Sequence, residues 1–135
     1  MPSPRRRRRG RAFRHDLVPP HLPGYVSRRE RFDASVQDAM AEMLQRFPRE
    51  LEYVEVLAED VPPSSHVHWE DAVLLGRAFP GDRQSPPQVV VYRRPIEMRV
   101  TDAEDLRELV RSVLVQNVAS LLGKQPEDID PDFGL

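Results

Sequence analysis

Apolar and polar positions along the chain follow two different repeats, which together predict an α+β domain. From residue 27 to residue 46, apolar residues recur at every third or fourth position, as in a helix with one buried face. Ser27 and Glu30 have the spacing of a capping box, so this helix is predicted to begin at Ser27. Phe47-Pro48 should end it, because the residue before Pro avoids the helical region.

Three segments after this helix have strand-like patterns. Residues 51–57 alternate imperfectly between apolar and polar side chains, and residues 73–79 form a second apolar run. Gly76 in that run indicates a bulge or a close approach to another part of the chain. Residues 89–92 read Val-Val-Val-Tyr, which is the strongest strand signal in the sequence. An exposed connection rich in Gly, Asp, Ser and Pro is expected at residues 80–87.

A second and more apolar helix is predicted over residues 102–122. The residues from Thr101 to Glu104 fit a capping box, and Gly123 suits the left-handed position past the end of the helix. Short helical turns are expected at Pro95 and at Pro126. The predicted fold is therefore α+β, with a small mixed sheet of about three strands packed on two main helices.

Charge divides the chain into a basic start and an acidic body. Residues 1–31 contain ten Arg against Asp16 and Glu30, whereas the remainder has twice as many acidic as basic side chains. We expect residues 1–24 to be a basic, Pro-rich flexible arm, residues 25–131 to fold, and residues 132–135 to form a tail. The arm is a candidate for binding nucleic acid or a ribosome without sequence preference. Its candidate phosphate contacts are Arg5, Arg6, Arg7, Arg8, Arg9, Arg11 and Arg14.

The amino-acid composition limits the kinds of site the protein can form and the cellular compartment expected for it. The chain has no Cys, so disulfides and thiolate metal sites are excluded, and a reducing cytoplasm is the expected compartment. No apolar run has the length of a membrane-spanning helix, and no apolar segment follows the Arg run as it would in a signal peptide. We therefore expect a cytoplasmic protein with no membrane partner.

Four short segments precede the long helix that Gly123 closes. They are Arg31-Phe32-Asp33, Glu59-Asp60-Val61-Pro62, Leu74-Leu75-Gly76 and Val91-Tyr92-Arg93-Arg94-Pro95-Ile96. Together these segments resemble the small zincin-like metallopeptidase family of bacteria. The resemblance covers roughly residues 25–131 and implies a minimal zincin-like fold. The Arg-rich start and the altered last helix resemble the actinobacterial branch of the family.

The resemblance also shows what this chain lacks. Complete members carry His-Glu-x-x-His on the last helix, where two His bind zinc and the Glu activates a zinc-bound water. The corresponding ligand positions here are Gln116 and Ser120, the base position is Asn117, and the third-ligand position is Pro126. We therefore expect no catalytic residue and no cofactor, and we interpret the chain as a pseudoenzyme with a degenerate motif that binds a protein partner at the former cleft.

Two other interpretations remain open from the sequence. His66 and His68, with Glu70 and Asp71 nearby, could form a rebuilt metal site, or they could lie in an exposed polar loop without a third ligand. The Arg arm could bind nucleic acid or serve only as a solubilising tail. Arg93 and Arg94 could bind an anion, although within this family they are expected to position the step from strand to helix.

Overall fold

The structure is a computed structural model and describes residues 11–12, 27–62 and 74–134. In these ranges four helices accompany the strands: α1 (Arg28–Arg46), α2 (Arg93–Glu97), α3 (Ala103–Leu122) and α4 (Pro126–Ile129). The strands are β1 (Arg11–Ala12), β2 (Glu55–Glu59), β3 (Gly76–Phe79) and β4 (Gln88–Tyr92). The predicted α+β class and its two main helices, α1 and α3, are confirmed.

The sheet is mixed and has the order β1-β2-β4-β3. Strand β4 lies between β2, to which it is parallel, and β3, to which it is antiparallel. The two-residue strand β1 adds an antiparallel pair at the outer edge of β2, with Arg11 opposite Ala58. The three longer strands therefore match the predicted small mixed sheet.

The core lies between one face of the sheet and the two main helices. Phe32 and Val36 from α1, Val89 and Val91 from β4, and Leu114 from α3 are all completely or almost completely buried there. Strand β4, with its run of three Val, thus has one face covered by helices, which removes the apolar surface of that face from water. On the opposite face of the sheet, Leu57, Val90 and Tyr92 form a smaller buried cluster with Leu74.

The ends of the first helix agree with the sequence. Ser27 caps α1, its hydroxyl accepts from the backbone N–H of Glu30 at 3.1 Å, and the Glu30 carboxylate accepts from the Ser27 N–H at 3.1 Å. This reciprocal capping box satisfies two backbone donors that the helix leaves free. Phe47 ends the helix just before Pro48, as predicted.

Two local predictions were wrong. The strand predicted at residues 51–57 begins later, at Glu55, because residues 51–53 form a turn in which Leu51 is buried and its N–H donates to the carbonyl of Phe47. The cap of α3 is Asp102 rather than Thr101. The Asp102 carboxylate accepts from the Asp105 N–H at 2.8 Å, and the Thr101 hydroxyl instead donates to the Asp105 side chain.

The C-terminal residues of the described chain pack on the domain. Arg111 on α3 forms an ion pair with the buried carboxylate of Asp130 at 3.2 Å, and Phe133 packs against the core. Arg46 at the end of α1 donates to the carbonyl of Ile129 at 2.8 Å. Within the described residues, no helix is long and apolar enough to cross a bilayer.

Candidate functional site

The second half of α3 carries three of the four residues that the sequence singled out. Gln116 and Ser120 are exposed and four residues apart, so they lie on the same face of the helix. Asn117 is half-buried, and its side-chain amide donates to the Val113 carbonyl one turn earlier, at 2.8 Å. Gln116 and Ser120 thus face solvent, whereas Asn117 is directed along its own helix.

Asn117 also lies where the edge strand β3 approaches the helix. A Cβ atom on Gly76 would lie 3.1 Å from the Asn117 side-chain nitrogen and 2.6 Å from Cγ1 of Val113. The predicted close approach at Gly76 is therefore confirmed, and it brings β3 against α3. This contact fixes the position of the strand edge relative to the helix face that carries Ser120.

An open cleft of about 650 Å³ lies beside this contact. Ser120 and Leu121 from α3, Ala78 from β3 and the aromatic ring of Tyr53 line it, and the connection of residues 80–87 forms its wall. Tyr53 is 71% exposed, so most of its ring is available for contact. Gln116, Asn117 and Pro126 are not among the residues that line the cleft.

The wall of the cleft is an ordered turn. The Asp82 carboxylate accepts from the backbone N–H groups of Gln84 and Ser85, each at 2.8 Å, and the Asp82 N–H donates to the Ser85 carbonyl at 2.9 Å. Side-chain bonds of this kind hold Asp, Asn and Ser in turns. The turn gives the cleft a defined shape on the side opposite α3.

Strand β3 contributes Ala78 to the lining of the cleft and forms one edge of the described sheet. It pairs with β4 from Gly76 opposite Val91 to Phe79 opposite Gln88. Within the described part of the chain no strand pairs with its other side. Such an edge presents backbone N–H and C=O groups to which an extended peptide can add.

A cluster of charged side chains lies just past the C-terminal end of β2. The Asp60 carboxylate accepts from Arg29 at 3.1 Å and from Arg93 at 3.2 Å, and Arg93 also pairs with Glu97 at 2.8 Å. Partial burial alone would raise the pKa of Asp60, but the hydrogen bond from Arg93 and the charges of Arg29, Arg93 and Arg94 outweigh it and hold that pKa below its ordinary value. Arg93 thus joins β2 to α2, which is the positioning role expected from the sequence.

The pKa of Arg93 responds to the same contacts. Burial alone would lower it, but the hydrogen bonds and charges of Asp60 and Glu97 raise it above the ordinary value for arginine. Arg94, by contrast, is exposed, and its side chain forms no ion pair within the described residues. Arg93 therefore holds the step from strand to helix through its side chain, whereas Arg94 contributes its backbone N–H, which donates to the Asp60 carbonyl at 3.0 Å.

The donor atoms at the expected ligand positions do not suit zinc. Gln116 offers a neutral amide, Ser120 a hydroxyl and Pro126 no side-chain donor, whereas zinc sites use Cys, His and carboxylate side chains. Pro126 begins α4, where its ring occupies the first turn. Across the residues that the structure covers, no three His, Cys, Asp or Glu side chains are grouped to hold a metal ion. His66 and His68 lie outside the described residues.

Comparison with known families gives the class of the protein. The family model for zincin-like metallopeptidases matches residues 51–134, a range that includes β2, β3, β4 and the whole of α3. The chain therefore belongs to the zincin-like metallopeptidase family. A search of the curated proteins found no match.

The sequence pointed to the helix but not to the cleft beside it. Tyr53 and the 80–87 connection were not expected to contribute to a site, and both come before α3 in the chain, separated from it by α2. The sequence signal for this wall was the predicted exposed connection at residues 80–87, which is rich in Gly, Asp, Ser and Pro. The candidate polyanion contacts of the arm lie outside the described residues, except for the backbone of Arg11 in β1.

Proposed function

We propose that this chain is a zincin-like metallopeptidase family member that has lost zinc-dependent hydrolysis and binds a segment of a protein partner in its cleft. The observation that carries the proposal is the pairing of a formed cleft with Gln116, Asn117 and Ser120 on the adjoining helix. Without the zinc ligands and the catalytic Glu the chain lacks the groups that hydrolyse peptides in the family, but its cleft can still accommodate a peptide.

The loss of hydrolysis follows from the chemistry of these side chains. Peptide hydrolysis in a zinc site needs a bound water whose pKa the metal lowers and a carboxylate that takes its proton. An amide at position 117 cannot accept that proton at neutral pH. The Asn117 amide is instead engaged with the Val113 carbonyl, which gives it a structural role.

The cleft has features that suit a short extended peptide. Its volume of about 650 Å³ lies within the range of pockets that enclose small ligands or a few side chains. Tyr53 and Leu121 supply aromatic and aliphatic surface, and the edge of β3 with which no described strand pairs supplies backbone donors and acceptors. A peptide that adds to β3 would direct every second side chain toward the same face of the sheet, where the cleft lined by Tyr53 and Ser120 can receive it.

Peptide selection on the full-length chain tests this proposal. Random peptides of about ten residues, a length that spans a strand, would be displayed and selected, and the best would be measured by fluorescence anisotropy. Ser120→Lys places a long charged side chain in the cleft and should weaken binding at least about tenfold, as should Tyr53→Ala. Incubation with the same peptides should yield no cleavage products by mass spectrometry.

Gln116→Lys is the matched control. It places the same side chain on the same helix, one turn earlier, at a residue that does not line the cleft. Its affinity should stay within about twofold of the parent chain, as for surface changes outside an interface. Equal losses in the two Lys variants, or peptide cleavage that a chelator abolishes, would contradict the proposal.

The alternative of a rebuilt metal site at His66 and His68 stays a prediction, because both residues lie outside the described ranges. No observation on the described residues favours it over the cleft.

A further inference from the structure

The cleft has one basic side chain among the described residues that line it. Asp82 and Arg83, in the turn that forms the wall, are the two charged residues of this lining, and the others are apolar or neutral. We propose that Arg83 binds a carboxylate of the peptide, so that the cleft selects a partner segment that carries a carboxylate at that point. This inference rests on the proposed function, because it names the kind of peptide that the same cleft takes.

The Arg83 guanidinium is available to a partner, whereas the neighbouring carboxylate is engaged. Arg83 is exposed and forms no ion pair or side-chain hydrogen bond within the described residues. Asp82 has the opposite charge, but its Oδ1 accepts from the backbone N–H groups of Gln84 and Ser85, each at 2.8 Å. Because these bonds hold the Asp82 carboxylate against the turn backbone, Arg83 keeps its donors for a carboxylate from outside.

The pairing of β3 with β4 shows which backbone groups of β3 face the edge of the sheet. The Tyr92 N–H donates to the Leu75 carbonyl at 3.0 Å, one step beyond the pair of Gly76 and Val91. Opposite residues in an antiparallel ladder alternate between hydrogen-bonded and non-hydrogen-bonded pairs. Gly76 and Ala78 therefore direct their N–H and C=O groups away from β4, toward an edge with which no described strand pairs. These two residues offer a peptide the backbone groups for a short ladder.

This ladder ends beside the turn that carries Arg83. The next residue whose backbone would face the edge is Pro80, which has no N–H to donate. Pro80 also lines the cleft, as Arg83 does. One end of a peptide bound along β3 therefore loses its backbone donors at the place where the guanidinium of Arg83 supplies side-chain donors. Hydrogen bonds between a guanidinium and a carboxylate are stronger than those between neutral groups.

The direction of the peptide decides which carboxylate reaches Arg83. A peptide antiparallel to β3 would have its N-terminal end beside Pro80, so the carboxylate must belong to an Asp or Glu side chain. A peptide parallel to β3 would have its C-terminal end there, so that its terminal carboxylate would serve as well. The recognised chemistry is the same in both cases, and the experiment separates the two sources.

Peptides selected against the full-length chain, from a library with free C-termini, test the inference. Each selected peptide would be remade with Asn or Gln in place of its acidic residue and, separately, with an amidated C-terminus. Fluorescence anisotropy should show that removal of one of these carboxylates weakens binding about fivefold, as expected for one partly exposed charge pair. Arg83→Gln should weaken the original peptide by the same factor and should leave the affinity of the neutral peptide unchanged, because the two changes remove one interaction.

Arg107→Gln is the matched control. Arg107 is likewise exposed and without an ion pair in the described part of the chain, but it does not line the cleft. It lies about 20 Å along the axis of α3 from Ser120, at 1.5 Å per residue. Its replacement should keep the affinity within about twofold of the parent chain. Equal losses in Arg83→Gln and Arg107→Gln would overturn the inference, because total charge alone would then decide binding.

The failure of this inference is distinguishable from the failure of the proposed function. Peptides that lose affinity with Tyr53→Ala or Ser120→Lys, but show no preference for a carboxylate, would overturn the role of Arg83 and leave the cleft as a peptide site. A selection that yields no peptide dependent on Tyr53 or Ser120 would overturn both. A loss that Arg83→Gln shares with removal of the side-chain or terminal carboxylate supports the inference and identifies the source.

Discussion

At the scale of single residues, the missing side chain of Gly76 matters most for the candidate site. A Cβ there would lie 2.6 Å from Val113 Cγ1 and 3.1 Å from the Val90 carbonyl oxygen. Val113 is only 5% exposed, so its methyl group has little space into which to move. The edge strand can therefore reach α3 only because position 76 has no side chain.

Gly76→Ala should destabilise the fold by about 1–3 kcal/mol, the usual cost of overpacking a tight interior. Urea unfolding followed by circular dichroism would measure it. Val113→Ala removes the methyl group that the new Cβ meets, so the double variant should lose less stability than the two single losses added. Strictly additive losses would show that the clash is not with Val113.

Asp60 makes a pH-dependent contribution at the same scale. Its pKa is lower in the folded chain than the ordinary 3.8, so its contribution to stability is complete above pH 3.8 and is lost as pH falls through the folded pKa. Because its side chain is 42% exposed, we expect at most about 1 kcal/mol from its pairs. Asp60→Asn should therefore lower stability at pH 7, and its difference in stability from the parent chain should narrow as the pH falls below 3.8.

Urea unfolding at several pH values checks this expectation, and Asp38→Asn provides the control. Asp38 is exposed on α1 and forms no ion pair within the described residues. Its replacement should cost less stability at pH 7 than Asp60→Asn, because it removes no ion pair. A profile for Asp60→Asn that runs parallel to the parent at every pH would show that Asp60 does not titrate differently on folding.

At the scale of elements, patterns that depend on neighbouring residues were predicted well. The Ser27 capping box, the stop at Pro48 and the strand around residues 89–92 need only local spacing, and the structure shows all three. The start of the strand predicted at residues 51–57 was wrong. Leu51 is buried in a turn, and in the sequence it continues the alternation of the strand that begins at Glu55. Short apolar patterns do not separate these two cases.

Gly123, the glycine that ends α3, allows one such local sequence signal to be tested. Gly123 has φ 66°, and a Cβ there would meet nothing within 4 Å, so only backbone strain opposes a side chain. Gly123→Ala should cost about 1 kcal/mol, whereas Gly123→Asn should cost less because Asn tolerates the left-handed region. Thermal unfolding would measure the loss of stability in both variants. Equal losses would show that the left-handed backbone conformation at residue 123 does not cause the destabilisation.

At the scale of the whole molecule, the sequence led to the family but not to the arrangement. The order β1-β2-β4-β3 places the last strand in the middle of the sheet, and nothing local in the sequence encodes that order. The cleft arises where Tyr53, the 80–87 connection and the end of α3 meet. Because each part comes from a different region of the chain, their meeting depends on packing, which the local repeats do not determine.

Metal content is the property of the whole chain that most sharply separates the remaining interpretations. If the positions of Gln116, Asn117, Ser120 and Pro126 are the former zinc positions, the purified chain should contain far less than one zinc per molecule by elemental analysis. A chelator should then leave its unfolding temperature unchanged, because no metal binding energy contributes to folding. Gln116→His/Ser120→His restores two ligands on one helix face and should raise zinc affinity above that of the parent. Stoichiometric zinc in the parent chain, lost in His66→Ala/His68→Ala, would instead establish a rebuilt site and reopen the question of hydrolysis.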